Sequence, residues 1–143
     1  MPQGSPYGAY ERTKVETADQ RQLILMLYDG AIRFMHKSAA RIEAGEVEAA
    51  HNYLIRSREI VSELLATLKP EKAGEIGQNL QRLYVYVFNR LVVANLTKDK
   101  AIVEECIHLM TTLRDGWAQI KPAGTQGRPD AGAPEKRRVS VRT

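Results

Sequence analysis

The chain has a single cysteine, no long apolar run and no glycine-rich loop ahead of a helix, and each absence removes a class of function. One thiol, Cys106, leaves no partner for an internal disulfide. The polar start MPQGSPYGAY is not followed by a hydrophobic signal region. Together these predict a reducing, cytoplasmic setting. A membrane span requires roughly 20 apolar residues in a row, and Asn, Arg and Lys punctuate even the most apolar stretch, so no span is expected. Glycines cluster only near the C-terminus, which gives nucleotide chemistry no anchor. Strand-like alternation is nearly missing as well, which argues against a sheet.

The formal charge is +4. From Pro122 onward, Arg128, Lys136, Arg137, Arg138 and Arg142 face only Asp130 and Glu135, a local +3 that leaves +1 for the body. A nucleic-acid-binding domain spreads its basic residues over a folded face, so this balance predicts a solvated basic tail and no nucleic-acid partner.

The chain holds 143 residues, one domain's worth, and a core of that size needs no disulfide or metal. Residues 1–17 contain Pro2, Gly4, Pro6 and Gly8 with Tyr7 and Tyr10, and read as an N-terminal arm that cannot begin a helix early and carries two docking rings. Residues 18–121 read as the folded body. Thr17 or Asp19 is expected to cap a first helix with Leu23, Ile24, Leu27, Ala31, Phe34, Met35, Ser38 and Ile42 inward, closed at Ala44-Gly45. A second helix, about Glu46 to Lys69, turns Val47, Ala50, Leu54, Ser57, Val61, Leu65 and Leu68 inward. After a loop over Pro70–Gly77, a third buries Leu80, Leu83, Tyr84, Val87, Leu91 and Ala94. Asp99 is placed to cap a fourth, with Ile102, Cys106, Leu109, Met110, Leu113, Trp117 and Ile120 inward before Pro122. Short connections between four amphipathic helices predict an all-α antiparallel four-helix bundle. Residues 122–143, rich in Gly, Pro, Ala and Arg, are expected to be a disordered basic tail.

The stretch LYVYVFNRLVVANL, residues 83–96, has almost no water-facing side. On a helical wheel it carries a second stripe, Val85, Phe88, Val92 and Leu96, set roughly 120° from the core stripe. The second helix adds Tyr53, Ile60 and Leu64 beside its own inner stripe, and the fourth adds Val103 and Ile107. Taken singly, each residue can simply widen a core contact. Six large apolar side chains left in water, however, forfeit on the order of 10 kcal/mol at roughly 1.5–3 each. The set therefore predicts cover by a partner segment, a dimer mate or the chain's own arm, and an amphipathic helix in a groove is the usual solution.

Two Glu-x-x-His pairs, Glu48 with His51 and Glu105 with His108, have the spacing of di-iron carboxylate bundles. Their wheel positions fail: Glu105 and His108 point away from the inner stripe, Glu48 lies off its own, and the middles of helices one and three hold no Glu. His36 lies on a polar face with Asp29, Arg33 and Lys37. Cys106 reads as a small apolar core residue. No catalytic constellation, cofactor or metal is expected.

The segments SPYGAYERTKVETADQRQLILMLYDGAIRFM, LYVYVFNRLVVANLTKD and LMTTLRDGWAQI resemble the flagellar secretion chaperone family FliS, from Tyr7 to about Ile120. The likeness is carried by Tyr7 and Tyr10, by Met-Leu-Tyr-Asp-Gly at 26–30, by Leu-Val-x-Ala-Asn-Leu-x-x-Asp at 91–99, and by Leu113-Arg114-Asp115 with Trp117. It implies a helical bundle that binds the disordered C-terminal segment of flagellin in the cytoplasm, prevents early polymerisation and aids delivery to the flagellar export apparatus. It also implies that the tyrosine arm covers part of the client groove before binding. Asp19-Gln20 stands where the family often has Ser-Pro, and the tail after Pro122 is longer and more basic than the family's. On this reading Tyr7, Tyr10, Tyr53, Ile60, Leu64, Val85, Phe88, Val92, Leu96, Val103 and Ile107 contact the partner. A homodimer through the same stripes is the alternative.

Overall fold

The computed structural model describes the backbone of residues 6–119 and the side chains of residues 20–69 and 74–119. The expected tail and Ile120 lie outside these, as do the side chains of Tyr7 and Tyr10. Four helices follow one another: α1 (Pro6–Glu43), α2 (Val47–Thr67), α3 (Pro70–Thr97) and α4 (Lys100–Ala118). No strand occurs among the described residues, and no helix among them is long and apolar enough to cross a membrane. α1 packs on α2 and α4, and α3 packs on the same two, so chain neighbours are space neighbours around a square antiparallel bundle.

Each turn has a local cause. Gly45, at φ 75°, ends α1. Gly45 N–H donates to the Ile42 carbonyl at 3.0 Å and Glu46 N–H to the Arg41 carbonyl at 2.8 Å, which closes the helix end with the left-handed geometry glycine permits. An Arg41–Glu46 ion pair spans the same turn. Lys69, at φ −122° and ψ 81°, is kept out of the helical region by the following Pro70, which opens α3 at the position where a missing N–H costs nothing. Lys98 takes the left-handed conformation, φ 52° and ψ 44°, and its ammonium donates to the Asn95 carbonyl at 2.7 Å. Asp99 then caps α4 as expected, accepting from Ala101 N–H at 2.9 Å.

Two helix starts differ from the sequence expectation. α1 begins at Pro6, not at Thr17 or Asp19, because proline is well suited to a first turn and the Tyr-Gly-Ala-Tyr-Glu-Arg that follows tolerates helix despite Gly8. The expected loop over Pro70–Gly77 is instead a helical turn broken at Gly74, whose φ 66° and ψ −140° no side-chain-bearing residue adopts readily.

The core is filled by Met35, Leu54, Val61, Leu64, Val87, Leu91, Val103, Cys106 and Met110, all fully buried. Across the bundle's diagonal the Tyr28 and Tyr84 hydroxyls share a hydrogen bond, their rings edge to face at 6.2 Å. Burial pushes both phenols above their ordinary titration range. Leu23 and Val47, expected inward, are exposed. Gly30 lies opposite Ile60, so seven residues along each antiparallel helix bring Leu23 level with Thr67, the last residue of α2. Val47 is likewise the first residue of α2. Both sit at the rim of the bundle, where the correct direction finds no neighbour.

Candidate partner-binding surface

The edges of α3 are identified by what they touch. Phe88 lies beneath the Arg58 guanidinium of α2, 5.3 Å from its ring centre, and Asn95 donates to His51 Nδ1 of α2 at 2.9 Å. Residues three or four places away share that edge, so Val85, Phe88, Val92 and Leu96 line the α2 side in one row. The opposite edge is stitched to α4. The Tyr86 hydroxyl donates to Glu105, and Arg90 pairs with the same carboxylate at 3.3 Å. The Tyr86 hydrogen bond, with help from Arg90, holds the Glu105 carboxyl below its usual range.

The stripe on α3 is partly open to solvent. Val85 is 42% exposed and Leu96 81%, while Phe88 and Val92 are partly covered. Tyr86 and Val93 extend the apolar surface around the outside of the helix. A shallow depression among Gln81, Arg82, Val85 and Tyr86 marks its upper part.

The other expected contacts do not join it. Tyr53 and Ile60 face α1: Tyr53 stacks on Phe34 with ring centres 5.9 Å apart, and the Ile60 Cδ1 lies 3.3 Å from where a Cβ on Gly30 would stand. Leu64 and Val103 have 0% exposure and belong to the core. Ile107 packs partly against the core on the α1 side of α4, the side from which Arg114 reaches Asp29 at 2.8 Å. Of the residues expected over α2, α3 and α4, those the structure leaves exposed, Val85 and Leu96, lie on α3. The wheel gave each surplus stripe its direction, but α1 fills the one on α2. Tyr7 and Tyr10 fall within α1.

A second concavity lies at the end of the bundle where α2 passes to α3. It has a volume of about 370 Å³ and is walled by Ile24, Leu68, Ile76, Leu80, Tyr84 and Trp117. Its lining residue Ile76 and, on α1, Met26 are exposed apolar side chains that the wheels did not single out.

The Glu105 of one Glu-x-x-His pair is engaged by α3, and the His51 of the other by Asn95. No three His, Cys, Asp or Glu side chains converge on a metal position among the described residues. Burial pushes the Cys106 thiol up to about 12, so it stays protonated near neutrality.

The residues that carried the family resemblance hold this frame together. Tyr28, Asp29 and Gly30 respectively reach Tyr84, pair with Arg114 and admit Ile60. Asn95 bridges to α2, Asp99 caps α4, and the Trp117 indole donates to the Arg21 carbonyl at 3.4 Å. Residues 3–124 match the family described as flagellar protein FliS. The chain belongs to that family. It is 33% identical to the flagellar secretion chaperone FliS of Bacillus subtilis over 128 residues, covering 90% of this chain and 95% of that one. Against the flagellar secretion chaperone FliS of Salmonella typhimurium the identity is 38% over 119 residues, covering 80% and 88%. The Campylobacter jejuni FliS is 30% identical over 114 residues, covering 80% and 89%. Membership of the FliS family sets the chain among flagellar secretion chaperones, and the bundle supplies the frame for that role.

Proposed function

We propose that the chain is a cytoplasmic chaperone for flagellin. It holds flagellin's C-terminal segment on the α2-facing edge of α3, blocks premature polymerisation and delivers the client to the flagellar type III export apparatus. The single observation that carries this reading is the row Val85, Phe88, Val92 and Leu96, which lies at helical spacing along α3 and is only partly covered by the chain's described helices, Val85 and Leu96 being exposed. Fully burying a large apolar side chain is worth about 1.5–3 kcal/mol, and Leu96 offers nearly the full amount. Folding a disordered segment onto the surface consumes about 2–5 kcal/mol or more of the gross interaction energy. A client must therefore cover the whole row, with Tyr86 and Val93, rather than one residue of it. Binding of this kind makes and breaks no covalent bond.

The test is a titration of the full chain with the last few dozen residues of flagellin, followed by circular dichroism and light scattering. Val85→Glu and Leu96→Glu should each abolish binding while helicity stays unchanged, because neither side chain belongs to the buried core. Ile60 is a poor probe, since a charge between α1 and α2 strikes the fold itself. Undiminished binding by both variants would remove the row from the client site. A stable dimer that ignores the peptide would assign the row to a subunit interface.

A further inference from the structure

The α3 side of the client surface is free of negative charge. From Ile76 to Lys98 the chain contains no Asp or Glu, while Arg82 and Arg90 lie in the same run. Arg90 is neutralised by Glu105 on the far edge, and Arg82 donates to the Asn79 side chain. At the centre of the open edge stands Arg58 of α2, its guanidinium laid over Phe88. Its Nε is buried and meets no acceptor, and the group has no ion pair among the described residues.

Among the described residues, that combination sets Arg58 apart from the other arginines. Arg41, Arg90 and Arg114 each hold a carboxylate. Arg33 and Arg56 also lie over a ring, that of Phe34, but both are exposed. A buried donor without an acceptor is uncommon in a native protein, because the lost hydration is not replaced. Covering the row with an apolar segment deepens the deficit. The guanidinium would then lose its remaining water while keeping its charge, and an unpaired charge in such a place is costly.

We propose that Arg58 is the polar anchor of the client surface, and that the bound segment presents a carboxylate to it beside Phe88. The inference rests on the reading of this row as the flagellin site and names the chemistry that gives it orientation. Apolar contact along a helix is tolerant of slippage by one turn. A fork of guanidinium donors, with one edge fixed by the ring beneath, accepts a carboxylate in few positions and so selects one register.

The experiment is a titration of the full chain and two variants with the C-terminal segment of flagellin, in which each Asp or Glu is also replaced in turn by Asn or Gln. Arg58→Gln should weaken binding about ten- to a hundredfold, the usual scale for losing a charge-assisted hydrogen bond. Arg58→Lys, which keeps charge but not the planar fork, should restore only part of it. One client substitution should reproduce the loss on the wild-type protein and have little further effect on Arg58→Gln, which identifies the paired carboxylate even where the chaperone variant alone is destabilised. Equal affinity of wild type and Arg58→Gln overturns the anchor and leaves the flagellin reading standing. Absence of wild-type binding takes both down.

Discussion

The seam between α1 and α2 and the seam between α2 and α3 start from the same sequence signature and end differently. On both, the helical wheel shows more apolar residues than a narrow core stripe requires. Along α1 and α2 the surplus is consumed: Gly30 lets Ile60 come within 3.3 Å of its absent Cβ, Phe34 stacks on Tyr53, and Leu64 drops wholly into the core. Along α2 and α3 no glycine draws the helices together beside the row, and Leu96 stands 81% exposed. Surplus apolar surface is thus not itself a binding site. It stays open where the neighbouring helix offers nothing small enough to close over it.

The strongest way to break this contrast is to truncate one leucine from each side. Leu64→Ala should lose about 2–5 kcal/mol of stability through the cavity it leaves. Leu96→Ala should stay within about 0.5 kcal/mol, as an exposed position does. Paired urea melts measure both, and similar losses would mean that the two seams do not differ. Next in size is the tyrosine pair that crosses from α1 to α3. Tyr28→Phe leaves the buried Tyr84 hydroxyl alone and should cost about 1–3 kcal/mol, whereas the double Phe variant should recover part of that loss.

A smaller effect is expected at the turn that leads out of α3. Asp99→Ala removes the acceptor for Ala101 N–H and should lower stability by about 1 kcal/mol without changing client affinity. The least effect concerns the closed edge of α3. The folded state holds the Glu105 carboxyl below its unfolded value, so its contribution is present above the ordinary carboxylate range and is lost as the solution is acidified through the lowered folded value. Stability curves of wild type and Glu105→Gln should differ slightly near neutrality and converge in acid. Divergence in acid instead would show that Tyr86 and Arg90 do not stabilise the ionised form.

Much of the fold could be read before the structure was known, because its determinants are local. Asp99 and Gly45 mark helix ends by their own chemistry, and the inward residues of α3 and α4 follow from a period of 3.6. What could not be read depends on neighbours. Val103 and Val85 look alike on a wheel, yet one is sealed and the other open, and only the packing of a second helix separates them. Leu23 and Val47 point inward at heights where α2 has ended or has barely begun. The early start of α1 at Pro6 was obscured by treating proline and glycine as breakers, although proline commonly opens a first turn. Arg58 gave no signal of its own in the chain. The acid-free run beside it was visible throughout and becomes meaningful only once Phe88 is seen to carry that guanidinium.

The connections bear on timing. Only two residues separate α2 from α3 and α3 from α4, so the nascent chain can gather most of its structure from nearby partners, and the meeting of α1 with α4 is the one contact between helices distant in sequence. Bundles of such low contact order fold in microseconds to milliseconds, while a ribosome adds about 5–20 residues each second. The finished chaperone is therefore competent almost as soon as its last helix is free of the ribosome.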